Sequence, residues 1–123
     1  MRVLDGKRIL LAEDEALIAL MVEEMLVELG ADIVARVGTI ADALAVAATV
    51  TCDAAVLDVN LRGSAVFPAA ELLDRRGIPI VFATGYGRGA LGAGYAGPVI
   101  EKPYTCHKLA RALAAALAEP VMR

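Results

Sequence analysis

Residues 54–60 read AAVLDVN. Ala54 to Leu57 run without a polar interruption and end at an acid, Asp58. A strand with one wet face alternates apolar and polar residues, so an unbroken apolar run marks a strand covered on both faces, as in a parallel sheet. Arg8 to Ala12, Ile33 to Val37, Ile78 to Ala83 and Val99 to Ile100 have the same character. Helical patterns lie between them. Leu17, Met21, Met25 and Leu29 recur at i+4 as the expected core face of a first helix, with Glu23, Glu24 and Glu28 turned outward and Gly30 as the stop. Thr39 with Asp42 resembles a capping box opening an alanine-rich second helix, and Ala69 to Arg75 fits a third after Pro68. A last helix opens near Thr105, buries Leu109, Leu113 and Leu117, and stops at Pro120. Gly85 to Gly97 holds six glycines. A helix there would lose about 1 kcal/mol per interior glycine relative to alanine, so it is expected to be short, frayed or absent. The alternation predicts a doubly wound α/β sandwich, five parallel strands with crossover helices on both faces.

The 123 residues suffice for one core and are read as a single domain, 1–123, with no output domain. Apolar residues make up 59%, but alanine supplies much of that, so the core is expected to be compact and helix-rich. A net charge of −3 argues against a nucleic-acid surface, which needs clustered Lys and Arg to neutralise phosphates. No apolar run approaches the roughly 18 residues of a membrane span, and Asp5, Gly6 and Lys7 interrupt any signal-peptide core. A cytoplasmic protein is expected. Cys52 and Cys106 lack metal-site spacing and read as small apolar fillers; His107, the one histidine, has no partner for a metal or triad role.

In open parallel sheets ligands bind beyond the carboxyl ends of the strands. The residues there are Glu13-Asp14-Glu15 after the first run, Asp58 after the third, Thr84 after the fourth, and Lys102 with Pro103 after the fifth. Glu13, Asp14 and Asp58 crowded together would raise one another's pKa, and a hard divalent cation removes the conflict. Magnesium takes one or two direct carboxylates and keeps several waters. Asp14 and Asp58 are therefore assigned as direct ligands, with the backbone carbonyl of Asn60, and Glu13 through a water. A phosphoryl group on Asp58 would have its three equatorial oxygens met by the metal, the Lys102 ammonium and the Thr84 hydroxyl.

LLAEDE (Leu10 to Glu15), VLDVNLRG (Val56 to Gly63), FATGYG (Phe82 to Gly87) and EKPY (Glu101 to Tyr104) together resemble the response-regulator receiver domains of two-component signalling, over nearly the whole chain. The resemblance implies a flavodoxin-like (βα)5 fold with sheet order 2-1-3-4-5, a cis bond between Lys102 and Pro103, and transfer of phosphate to Asp58 from a phosphohistidine. The implied partners are a histidine kinase or histidine phosphotransfer protein and a downstream protein target. FATG and the glycines after it resemble the "FAT GUY" subgroup of stand-alone receivers, often paired in alphaproteobacteria with HWE-type kinases. One departure stands out: many members carry Tyr or Phe three residues before the lysine, where this chain has Val99.

Singly, these residues have ordinary explanations: Asp58 as an Asx-turn, Glu13 to Glu15 as a helix start, Lys102 as a solvated lysine. Unrelated local causes do not account for acids, a hydroxyl and a lysine at four strand ends. Tyr86 and Tyr104 read as half-buried packing. No turnover on an outside substrate is expected, only self-catalysed gain and loss of phosphate. The alternative is a degenerate receiver acting as a phosphate-independent binding module. A flavodoxin-type electron carrier would need a phosphate-binding loop where the chain has three acids.

Overall fold

In the computed structural model, residues 2–85 and 97–118 are described. The strands are β1 (Arg8–Ala12), β2 (Asp32–Val37), β3 (Ala54–Asp58), β4 (Asn60–Leu61), β5 (Ser64–Ala65), β6 (Ile80–Thr84) and β7 (Val99–Glu101). The helices are α1 (Ala16–Glu28), α2 (Ile40–Ala47), α3 (Phe67–Arg75) and α4 (Cys106–Ala118). Among the described residues, five strands form one sheet in the order β2-β1-β3-β6-β7, every pairing parallel. This is the expected 2-1-3-4-5 order, with the short antiparallel β4–β5 hairpin inserted after the third parallel strand. The expected fourth-helix region falls largely on residues 86–96, outside the described residues, as does the expected stop at Pro120.

The unbroken apolar runs are explained by what covers the sheet. Ile9, Leu11, Ala54 and Val56 face the core under α1 and α4, together with Val22, Leu26, Leu109 and Leu113. Their alternates Leu10, Ala12, Ala55 and Leu57 face the core under α2 and α3, with Ala43, Ala47, Ala69 and Leu73. Both sets are dry, so neither face of a central strand tolerates a polar residue. The edge strand β2 is only partly covered, and its register with β1 shifts between Ile9 and Leu10.

The first helix corrects the sequence reading. Its core residues are Ala19, Val22 and Leu26, with Leu29 just beyond its end. Leu17 is 71% exposed and Met21 49%, while Met25 packs partly against the core. The physical reason is angular: a strict four-residue repeat drifts by about 40° at each step on a helix of 3.6 residues per turn. Residues 17, 21, 25 and 29 therefore cannot share one face, whereas 19, 22, 26 and 29, spaced by three and four, do. Gly30 does end the helix: at φ 95° its N–H donates to Val27 O, and Ala31 N–H donates to Leu26 O. That pair of bonds is a Schellman stop, which favours glycine at the left-handed position.

Other boundaries shift by local chemistry. Thr39 Oγ1 accepts from Asp42 N at 3.1 Å and caps α2 as expected. The third helix begins at Phe67 rather than Ala69, because Pro68 fits the first turn, where its missing N–H has no intrahelical partner to lose. The fourth parallel strand begins at Ile80 rather than Ile78, since Pro79 intervenes without an N–H to give to a ladder. Thr105 Oγ1 accepts from Lys108 N at the start of α4, which buries Leu109, Leu113 and Ala116, with Leu117 only partly covered. No helix among the described residues is long and apolar enough to cross a membrane.

Candidate functional site

The central strands deliver their last residues to one edge. Asp58 ends β3 and Thr84 ends β6; Glu13 follows β1, its N–H donating to Val37 O, and Lys102 follows β7, its N–H donating to Thr84 O. Parallel pairing aligns Asp58 with Ala83 and Thr84 with Glu101, which keeps these carboxyl ends level. Glu13, Asp58 and Thr84 are the buried polar side chains of the described residues, in an otherwise apolar interior. The Lys102–Pro103 bond is cis.

The side chains meet. Lys102 Nζ donates to Glu13 Oε1 at 2.8 Å and to Asp58 Oδ2 at 2.7 Å. The second oxygen of Glu13 accepts from Glu15 N at 3.0 Å, and Asp58 Oδ1 accepts from Asn60 N at 3.2 Å. Asp14 Oδ2 accepts from Arg62 N at 2.9 Å. Glu13, Asp14 and Asp58 each present an oxygen within 4.8 Å of the others.

Protonation follows from these contacts. Burial pushes the Glu13 carboxyl above its ordinary value, and the Lys102 hydrogen bond and the Glu15 N–H only partly offset that. Burial also acts to raise Asp14, but the Arg62 N–H, a Glu13 hydrogen bond, its own backbone N–H and the Lys102 charge together leave it below the ordinary aspartate value. Burial opposes the Lys102 charge, yet its bonds to Asp58 and Glu13 outweigh burial and raise its pKa. Three carboxylates thus face one ammonium. The excess of hard oxygen donors at this spacing fits a divalent cation of the magnesium type.

Several neighbours take plain structural places. Tyr104 is half-buried against the core near α1, and burial, then the charge of Glu13, raises its phenol. Val99 pairs with Phe82 at the start of β7. Cys52 packs in the core under α2 and α3, Cys106 Sγ lies 3.9 Å from Met25 O, and His107 is exposed. Tyr86 lies outside the described residues. Sequence reasoning missed the β4–β5 hairpin, which brings the Arg62 amide to Asp14. Its signal was glycine at the second position of a two-residue turn, Arg62-Gly63.

Comparison with known proteins places this arrangement. The chain is similar to SdrG of Sphingomonas melonis Fr1, with 44% identity over 96% of this chain and 100% of that one, at a TM-score of 0.81. The REC domain of the PhyR response regulator of Erythrobacter litoralis matches at 25% identity, 98% and 96% coverage and a TM-score of 0.83. The receiver domain of the sensor histidine kinase PA1611 of Pseudomonas aeruginosa PAO1, which has a magnesium ion coordinated in its active site cleft, matches at 26% identity, 93% and 99% coverage and a TM-score of 0.79. The chain spans 40% of the length of the curated relatives it matches, the transcriptional regulatory protein PdtaR of Mycobacterium tuberculosis, at 37% identity over 81 residues and 65% of this chain. No family model matches.

Proposed function

Because the chain belongs to the response-regulator receiver family, we propose that it accepts a phosphoryl group on Asp58 from a phosphohistidine, in a magnesium-dependent reaction, and signals, relays or drains phosphate through protein contacts. The observation that carries this reading is the pair of hydrogen bonds that Lys102 Nζ donates to Glu13 and Asp58, with Asp14 beside them. In the transfer, the bond from phosphorus to the donor nitrogen breaks with its electron pair returning to nitrogen, and a bond from an Asp58 oxygen to phosphorus forms.

The residues divide the work. Asp14 and Asp58, with the Asn60 carbonyl and Glu13 through a water, would hold the cation, which would supply positive charge for the transferring phosphoryl oxygens. Asp58 is almost wholly buried, so the donor must present its phosphate to the mouth of the site beside Asp14, which is only half-buried. Lys102 leaves Asp58 Oδ2 for a phosphoryl oxygen, a short exchange of one charge-assisted bond for another. The Thr84 hydroxyl takes a second oxygen. The protein positions and neutralises, and turns over no outside substrate.

Partners of the histidine kinase or phosphotransfer kind suit the surface beside the site. Leu17, Leu20 and Met21 stand exposed on α1, and Met21 borders a small cleft with Lys102, Pro103 and Tyr104. An apolar face there would seat a donor whose phosphate points into the acids.

Incubation with magnesium and a small phosphodonor, followed by intact mass measurement, tests the proposal. One added phosphoryl group is expected, absent without magnesium and absent in Asp58→Asn. No mass gain, or a gain that persists in Asp58→Asn, overturns it.

A further inference from the structure

The β4–β5 hairpin is small but firmly tied at its base. Leu61 and Val66 are buried in the core under α2 and α3, and Val66 N–H donates to Val59 O at 2.9 Å. Its two turn residues both lie in the left-handed region, Arg62 at φ 52° and Gly63 at φ 86°. That is the two-residue turn whose twist matches an antiparallel ribbon. Glycine occupies such a position freely, whereas arginine is held there at a cost.

From this ribbon two backbone N–H groups reach the acids, and a third closes the hairpin on itself. Asn60 N–H donates to Asp58 Oδ1, Arg62 N–H to Asp14 Oδ2, and Gly63 N–H to Asn60 Oδ1 at 2.7 Å. The third bond ties the tip of the hairpin to the residue that follows the acceptor by two. Asp14 comes from the β1 edge and Asp58 from β3, so one six-residue segment, 60–65, links two acids delivered by different strands.

Given the cation-binding reading of these acids, we infer that the Arg62–Gly63 turn is a positioning element of the site: its left-handed backbone, not the Arg62 side chain, sets Asp14 and Asn60 relative to Asp58 for the metal. The left-handed conformation is what aims the Arg62 N–H at Asp14. A turn that relaxes out of it withdraws that donor and frees Asp14 to rotate, so the cation would have to order a carboxylate that the hairpin now orders in advance.

Gly63 offers a clean probe, because a Cβ added there meets no atom within 4 Å. A substitution therefore acts through backbone conformation and not through a clash. Magnesium titration calorimetry on the wild type, Gly63→Val, Gly63→Ala, Gly63→Asn and Arg62→Gly is to be combined with metal-free amide exchange at residue 62. Valine is excluded from the left-handed region, alanine is disfavoured there and asparagine tolerates it. Gly63→Val is expected to weaken magnesium binding by about five-fold or more and to speed exchange at the Arg62 amide, with Gly63→Ala between it and the wild type. Gly63→Asn and Arg62→Gly are expected to stay within about two-fold of the wild type. Asp14→Ala should speed the same exchange with no metal present.

Gly63→Ala keeps the comparison readable if the valine variant does not fold. A merely structural turn would lower the thermal midpoint of the metal-free variants and leave the magnesium affinity of the folded protein unchanged. Wild-type affinity in Gly63→Val and Gly63→Ala overturns the inference and leaves the site reading standing. A wild type that takes up no magnesium overturns that reading and the inference with it.

Discussion

Lys102 and Asp58, 44 residues apart in the chain, meet at 2.7 Å between Nζ and Oδ2 at the carboxyl edge of the sheet. The same ammonium also holds Glu13, so a single cation offsets two almost wholly buried acids. On the proposed function, the charge that would serve a phosphoryl group on Asp58 is also part of what keeps the edge folded.

Lys102→Met should therefore cost stability as well as function. It leaves Glu13 and Asp58 buried without their partner, for which the expected penalty at neutral pH is about 3 kcal/mol. If magnesium binds among these acids it replaces part of the missing charge, so its addition should raise the melting temperature of Lys102→Met by more than that of the wild type. Thermal denaturation with and without the metal checks both, and an equal response in the two proteins would contradict the charge balance.

The metal should stabilise the wild type by mass action, by about 2.7 kcal/mol at a hundred-fold excess over its dissociation constant. Chelation should return the melting temperature to the metal-free value. Asp14→Ala should lose most of this response while keeping a near-native metal-free midpoint, since Asp14 is only half-buried and is bonded through the Arg62 amide. A full magnesium response in Asp14→Ala would remove that residue from the ligand set.

Alkaline behaviour follows from Lys102 and Tyr104, both raised above their ordinary values of 10.5 and 10.0. Burial raises Tyr104, and the bonds to Asp58 and Glu13 outweigh burial to raise Lys102. A folded pKa above the unfolded one means that the folded state holds the proton more tightly. The stability each group contributes is thus fully present below its ordinary value and lost as pH rises through its folded value. Stability should stay flat with respect to these two groups up to about pH 10 and fall beyond it. The absorbance difference between the wild type and Tyr104→Phe isolates the phenol, which should ionise only on the falling limb. Ionisation before any loss of structure would show the phenol to be solvated.

Much of this was legible in the sequence, for identifiable reasons. Central parallel strands are dry on both sides, so Ala54 to Leu57 could carry no polar residue, and the acids had to follow directly at the strand ends. Where burial is one-sided, reading was harder. The i+4 series from Leu17 looked like a core stripe because its residues are large, yet the sheet takes the smaller Ala19 and Val22. Size does not report direction on a helix that carries apolar residues on several sides. The hairpin stayed hidden because two-residue strands have no periodicity to read, and the contact of Arg62 with Asp14 is made by a backbone N–H, which every non-proline residue possesses.

The outward face of α1 carries Leu17 and Met21 in contact with solvent. Leu17 and Met21 contribute little to folding where they stand, so Leu17→Glu and Met21→Glu should change stability by no more than about 0.5 kcal/mol. Leu26→Ala, on the fully buried face, should cost about 3 kcal/mol by leaving a cavity under α1 and α4. If the exposed side chains seat the phosphodonor, the glutamate variants should accept phosphate from a small donor at the wild-type rate. From a phosphorylated kinase or phosphotransfer domain they should accept it about ten-fold more slowly, the effect of losing one well-placed apolar contact. Time courses with the two donor types separate docking from chemistry. Equal slowing with both donors would place the defect in the acid site, and no slowing with either would leave this face without a part in transfer.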